Sequence, residues 1–409
     1  MVNDKEVKTA ISPFAARQDE KKVYDGKEGF ASINQIVFKM DMGYINESHI
    51  QALEVVNEFG FVTSRQVTQI LELRGKLNDI EEDKRQSKVA KWLEDLTKSK
   101  VIARYFFQSE TGKSSYRAYC IDKIATYILK QRNIPTTWQP TENTKPAYAV
   151  KRKLAGNQVI IAYMQKVAAF TKANPSILLY SKKYNVKFKP TGGMVTLKKD
   201  NVETNFVFEV VRRNDDWQNM FAEKVQLYSD FYENFVKNDA GFEEKPQIVF
   251  VGEDLQHLAE MFRIIKKVGM VLEDEDMYFT TELRHLEENL ENSISVFEFE
   301  KDTRKYRVVT KQLDILKPGE IMPPKYDFIF TQIFNDPNYG FALNKLLADT
   351  LNMQEEDFIG NVIYRNRNLR VKSRKNALGQ VDLIVKRTFK EGKNDKEEYI
   401  NIEVNSSLS

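Results

Sequence analysis

Apolar positions recur at three- and four-residue steps along 47–60, where Ile50, Leu53, Val56 and Phe59 share one face. With Asn46 ahead of it and Gly60 behind, the segment reads as a helix. Thr63 is placed to cap a second helix over 64–73, whose Val67, Ile70 and Leu71 face inward. A charged stretch, 74–86, leads into a third helix at 87–100 with Val89, Trp92, Leu93 and Leu96 as its buried stripe. The period then changes, and 101–107 and 116–121 read as two strands joined by a loop containing Gly112. Residues 1–44 are weakly periodic, carry scattered charge and read as a partly ordered arm.

A Pro- and Thr-rich stretch, 133–147, reads as a linker. Beyond it the pattern predicts a helix over 152–172, with Val159, Ala162, Tyr163, Val167 and Phe170 on one side, and a short strand at 176–180. A hairpin follows over 192–213, its second strand ending near Glu209. In 215–236, Trp217, Phe221, Val225, Tyr228, Tyr232 and Phe235 mark a long helix packed on a sheet. A continuous apolar strand at 246–252, a helix opened by Asp254, and a last strand at 277–281 leading into another helix complete this block. Strands alternating with helices in this way predict an α/β sandwich with helices on both faces. After Pro318, Pro323 and Pro324 come two helices over 325–351 and strands at 360–366, 380–389 and 398–405. The expected organisation is an arm at 1–44, a first domain at 45–132, a linker at 133–147, a second domain at 148–316 and a third module at 317–409. The fold class is α+β and multi-domain.

Composition narrows the chemistry. The chain has 409 residues, 42% of them hydrophobic, enough for several cores. A net charge of +3 gives no bulk attraction to nucleic acid, so any such surface must come from local clustering. The lone Cys120 excludes an internal disulfide and a cysteine-rich zinc site, and His49, His257 and His285 lack ligand spacing. No apolar run approaches a bilayer-spanning length and no secretory signal opens the chain, so a cytoplasmic protein without membrane contact is expected.

Three short helices and a hairpin make a winged helix-turn-helix, whose third helix enters the major groove of duplex DNA while the hairpin follows the backbone. Lys84, Arg85, Ser87, Lys88 and Lys91 lie on or before the third helix. Arg104, Lys113 and Arg117, with Ser114, decorate the wing. These are the expected phosphate contacts, and double-stranded DNA the expected partner. The alternative use of such a domain is protein contact or dimerisation.

In its order of elements, from the three helices and hairpin through the strand ending at Glu209, the following helix with Lys224 and Tyr228, the strand 246–252 and the segment 277–286, the chain resembles the replication-relaxation proteins of plasmids and integrative elements. The resemblance spans Asn46 to Leu290. It implies a winged helix joined to a restriction-endonuclease-like core related to the PD-(D/E)XK nucleases, and a role in replication or transfer of mobile DNA beside replication or relaxosome proteins. Such a nuclease needs carboxylates and a lysine around a divalent metal, magnesium or manganese. Glu209 and Lys224 are the candidates here. The family's Pro-Asp reads Pro190-Thr191, and the position two beyond Glu209 is Val211, so one carboxylate is missing and a non-catalytic scaffold is the expected reading.

The residues 325–336, 379–385 and 400–405 resemble parts of the Rpn-type recombination-promoting, transposase-like PD-(D/E)XK nucleases. The resemblance assigns metal binding to Asp382 and Glu403 and a third catalytic place to Asn405, where a lysine or glutamine is usual; Lys386 is a substitute cation. The helix that should follow the Glu403 strand is absent before the final Ser409, so a truncated module is expected. Three functions remain: a non-catalytic DNA-binding accessory factor, a metal-dependent endonuclease, and a winged-helix transcriptional regulator that dimerises or binds a partner through the helix 215–236.

Overall fold

A computed structural model describes residues 12–27, 29, 31–110, 112–237, 241–270, 276–287, 289–302 and 304–317, together with the strand backbone of 363–364, 380–391 and 394–405. The chain is a mixed α+β protein that divides into two compact units, Met1–Pro318 and Gly319–Ser409.

In the first unit, strand β1 (Lys21–Tyr24) and helix α1 (Ile33–Asp41) precede α2 (Glu47–Phe59), α3 (Ser64–Leu73) and α4 (Glu82–Lys98). Asn46 and Thr63 cap α2 and α3 through reciprocal hydrogen bonds with His49 and Gln66. Helix α4 begins at Glu82, five residues before the expected start, because Glu82 and Asp83 in the first turn suit the positive end of the helix dipole. The hairpin follows as β2 (Ile102–Ser109), β3 (Gly112–Lys113) and β4 (Ala118–Ile121), then α5 (Lys123–Gln131), a helix the apolar pattern did not predict. Residues 21–24 of the expected arm form a further strand of this sheet, β1 pairing antiparallel with β2 from Lys21↔Gln108 to Tyr24↔Tyr105.

The 133–147 segment contains a 3-10 turn at Pro140–Thr144. The next helix, α6 (Ala147–Lys166), starts and stops earlier than predicted, and Phe170 instead opens β5 (Phe170–Asn174). The elements β6 (Leu179–Ser181), β7 (Val186–Phe188), β8 (Gly193–Lys199), β9 (Val202–Val210), α7 (Trp217–Glu233), β10 (Gln247–Gly252), α8 (Leu255–Val268), β11 (Met277–Thr281) and α9 (Glu282–Glu287) follow in order. Two strands absent from the prediction, β12 (Ser295–Glu300) and β13 (Lys305–Thr310), complete the sheet.

The main sheet runs β13-β12-β11-β10-β9-β8-β5, with β9, β10 and β11 parallel and the other pairings antiparallel. Alternation along β9 sends Phe206, Phe208 and Val210 into one core and Val207 and Val211 into the other. The first core also holds the α2–α5 residues and α6, so the segments read as separate first and second domains share one apolar interior. The second core packs α7 and α8 against the opposite face. Helix α6 approaches β8 so closely that a Cβ on Gly156 would lie 2.6 Å from Gly192 Cα. Backbone cannot yield as a side-chain tip does. Gly156→Ala is therefore expected to cost about 1–3 kcal/mol, read as a lowered urea midpoint with an unchanged slope; an unaltered midpoint would show that α6 has room to shift.

Residues 12–20 of the arm cross the carboxyl ends of the parallel strands. Ser12 donates to Glu282 after β11, Ala16 N–H to Glu253 after β10, and Arg212 after β9 donates through Nε to Phe14 O. Lys151 Nζ on α6 lies 2.5 Å from Glu20. Residues 12–20 are thus bound into the unit rather than extended from it.

In the second unit, β14 (Ile363–Tyr364), β15 (Gln380–Glu391) and β16 (Asn394–Asn405) form an antiparallel sheet. The helices expected over 325–351 lie outside the described residues.

Candidate functional site

Three places hold the side chains singled out from the sequence. The first is the outer face of α4. The helix packs on α2, α3 and β2 through Val89, Leu93 and Leu96, and leaves Lys84, Ser87, Lys88 and Lys91 exposed. The charges there are balanced: residues 81–98 hold five cations (84, 85, 88, 91, 98) and five carboxylates (81–83, 94, 95). Lys84 pairs with Glu81 at 2.5 Å, Arg85 lies 3.6 Å from Glu72, and the Ser87 hydroxyl donates to Lys84 O. Lys88 and Lys91 have no carboxylate partner among the described residues.

The wing cations are engaged differently from the sequence expectation. Asp25, just after β1, lies 3.2 Å from Arg104 Nε and 2.5 Å from Arg117 Nε. Arg104 also donates to Asp25 O at 2.9 Å. Lys113 and Arg117 stack over the Phe106 ring at 5.0 and 5.4 Å. The arm therefore neutralises two of the three cations assigned to the wing.

The second place surrounds Glu209. This carboxylate is 3% exposed, on the α7 side of β9. Thr191 Oγ1 donates to its Oε1 at 2.9 Å and Tyr228 donates its phenol proton to Oε2 at 2.7 Å. Burial and the Glu209 charge push the Tyr228 phenol well above its ordinary pKa, so it stays a donor. Lys224 Nζ is 3.9 Å from Glu209 and donates to Lys189 O at 2.7 Å. Both carboxylate oxygens are thus occupied by hydroxyls, and Thr191 stands beside Glu209 where a second carboxylate would be needed. Among the described residues no three histidine, cysteine or carboxylate side chains converge as metal ligands.

The third place is the β15–β16 ladder, whose register sets Asp382 opposite Glu403, Gln380 opposite Asn405 and Lys386 opposite Tyr399. Directly opposed residues in an antiparallel pair lie on one face of the sheet.

A fourth feature had not been singled out. Between Glu142 and Asp200 the chain holds twelve lysines and arginines and no aspartate or glutamate. A charge census in windows would have found it, whereas the net charge of +3 conceals it. Part of this run lines a cleft of about 620 Å³ bounded by α6, by the α2–β4 region and by the exit of the β6–β7 hairpin. Lys145, Arg152, Lys153, Lys189 and Lys224 contribute cations to it, Glu142 contributes a carboxylate that pairs with Lys145, and Phe61, Trp138 and Phe188 contribute rings. Arg152, Thr191 and Lys224 also line a smaller cavity of about 180 Å³ that reaches Glu209. Lys153 donates to Pro175 O at 2.7 Å, and burial together with the nearby Lys189 lowers its pKa to about 7.

No family model, curated protein or solved structure matches the chain.

Proposed function

We propose that this protein binds duplex DNA without cleaving it in its first unit, as an accessory factor in replication or transfer of a mobile element. The helices α2–α4 and the β2–β4 hairpin act as the winged helix, with α4 in the major groove. The observation that carries this reading is the open outer face of α4, where Lys88 and Lys91 stand exposed and unpaired. A groove-reading helix needs such free donors. Its carboxylates at 81–83 and 94–95 keep non-specific attraction low, so affinity rests on few phosphate contacts. The α/β sandwich is a scaffold in this reading, because hydroxyl groups occupy the oxygens of Glu209 that a metal would need.

Lys88→Glu/Lys91→Glu is expected to weaken duplex binding at least tenfold in a low-salt anisotropy titration. It should also flatten the salt dependence, since each lost phosphate contact removes about 0.9 from the log–log slope. An unchanged affinity would move the interface off α4.

A second reading keeps the third module as a metal-dependent endonuclease, and the observation favouring it is the pairing of Asp382 with Glu403. Two acidic residues at opposed register positions are the kind of pair that magnesium- or manganese-assisted phosphodiester hydrolysis uses. Nicking of supercoiled plasmid that needs magnesium and disappears in Asp382→Ala would establish it over the first.

A further inference from the structure

We propose that the basic cleft between α6 and the β6–β7 hairpin binds the phosphates of a single nucleic-acid strand, at a site separate from α4. Four observations converge on a polyanion.

The first is the charge run. The segment 143–199 holds twelve cations and no carboxylate, and carboxylates from outside it neutralise the run only in part. Lys151 is paired with Glu20 from the arm and Lys145 with Glu142. Arg152 and Lys189 pair with no carboxylate among the described residues. Two such cations at one cavity wall, beside Lys153, whose pKa is lowered by burial first and by Lys189 and Lys145 second, leave net positive charge there for an anion to offset.

The second is backbone. Helix α6, twenty residues long, starts at the cleft: Lys145, Pro146 and Tyr148 line it. Its N-cap is Pro146, which supplies no side-chain cap, and its first turn has no acidic residue. The helix start therefore adds partial positive charge of the same sense as the cations.

The third is apolar surface. Trp138 and Tyr148 are half-buried at the wall, beside the buried Phe61 and Phe188. A phosphate alone needs no rings, whereas a nucleotide carries a flat base that stacks on them. The volume, about 620 Å³, lies in the range of organic-ligand sites, about 300–1,000 Å³.

The fourth is continuity. The β6–β7 hairpin is anchored to α7 by Asp230, which accepts from Ser181 Oγ at 2.5 Å and Lys183 N at 3.0 Å. It exposes Tyr180 and Tyr184 among Lys182, Lys183 and Lys187 and then runs through Phe188 and Lys189 into the cleft. Alternating aromatics and lysines leading to a cationic cavity give a track for several nucleotides. A single mononucleotide would leave the hairpin unused.

The test uses the full chain and fluorescein-labelled dT20, followed by anisotropy at two salt concentrations. Arg152→Glu/Lys189→Glu is expected to weaken dT20 binding at least tenfold. Lys183→Glu/Lys187→Glu, on the exposed hairpin and away from any core, is expected to weaken it about three- to tenfold and reduce the salt slope. Lys88→Glu/Lys91→Glu should leave dT20 unaffected while lowering duplex affinity, which separates this site from the duplex-binding reading. Undiminished dT20 binding in both cleft and hairpin variants would overturn the proposal, as would equal loss in the α4 variant. Displacement of dT20 by dTMP, at concentrations where inorganic phosphate has no effect, would reassign the cleft to a single nucleotide and reject the strand.

Discussion

Replacing Glu282 by alanine is expected to destabilise the first unit by about 3–5 kcal/mol, the usual cost of stranding one member of a buried ion pair. Arg212 and Glu282 have no exposed side-chain surface, and Arg212 Nη2 donates to Glu282 Oε1 at 2.6 Å. Two further guanidinium donors go to Val211 O at 2.8 Å and Phe14 O at 3.0 Å, and the fully buried side chain leaves the arginine no route to water once its partner is gone. The same carboxylate accepts from Ser12, and its loss should loosen the arm at the end of β11, leaving its contacts to Arg212 and Glu253. Two readouts follow: a melting temperature lower by roughly 10 °C, and faster proteolysis within residues 12–20. The double replacement Arg212→Met/Glu282→Leu removes both charges and should recover much of the loss. Equal melting of Glu282→Ala and the unaltered chain would mean that the pair contributes nothing.

Acid should unfold the same unit early. Burial lowers the pKa of His257 to about 3, with Arg213 and Arg212 adding to the effect and Asp254 opposing it. Burial likewise takes His285 to about 4, against the partial support of its hydrogen bond to Thr281 O, with Lys166 and Arg284 adding to the depression. Both rings are neutral in the folded chain. Below about pH 6.5 the unfolded chain takes up protons that the folded one refuses. The stability these histidines permit is therefore present above about pH 6.5 and is lost as pH falls toward 4 and then 3, on the order of several kcal/mol in total. Glu253, raised by burial, acts in the opposite sense and softens the fall. His257→Gln should show a shallower decline of melting temperature between pH 6.5 and 4 than the unaltered chain. Parallel curves would assign acid sensitivity to other groups.

Histidine burial could not be anticipated from spacing, because His257 lies against Trp217, 4.5 Å between ring centroids, and His285 against Tyr163, at 5.5 Å. Those neighbours are distant in sequence. The same holds for Asp25, whose arm position hides that it binds both Arg104 and Arg117. The missing carboxylate at Thr191 was legible, but not that its hydroxyl, with that of Tyr228, completes the coordination of Glu209.

What the sequence determined by itself was local. The Asn46 and Thr63 caps, the Gly60 stop, the amphipathic stripe of α4 and the apolar β10 all follow from periods and caps acting over a few residues. The carboxylate-free stretch 143–199, with its twelve cations, was equally present in the letters. Tertiary structure alone decided which charges stay free. Ion pairs such as Arg212–Glu282 and Lys151–Glu20 join residues 70 and 131 positions apart. Coulomb energy depends on distance in space and on burial, and neither is a function of distance along the chain.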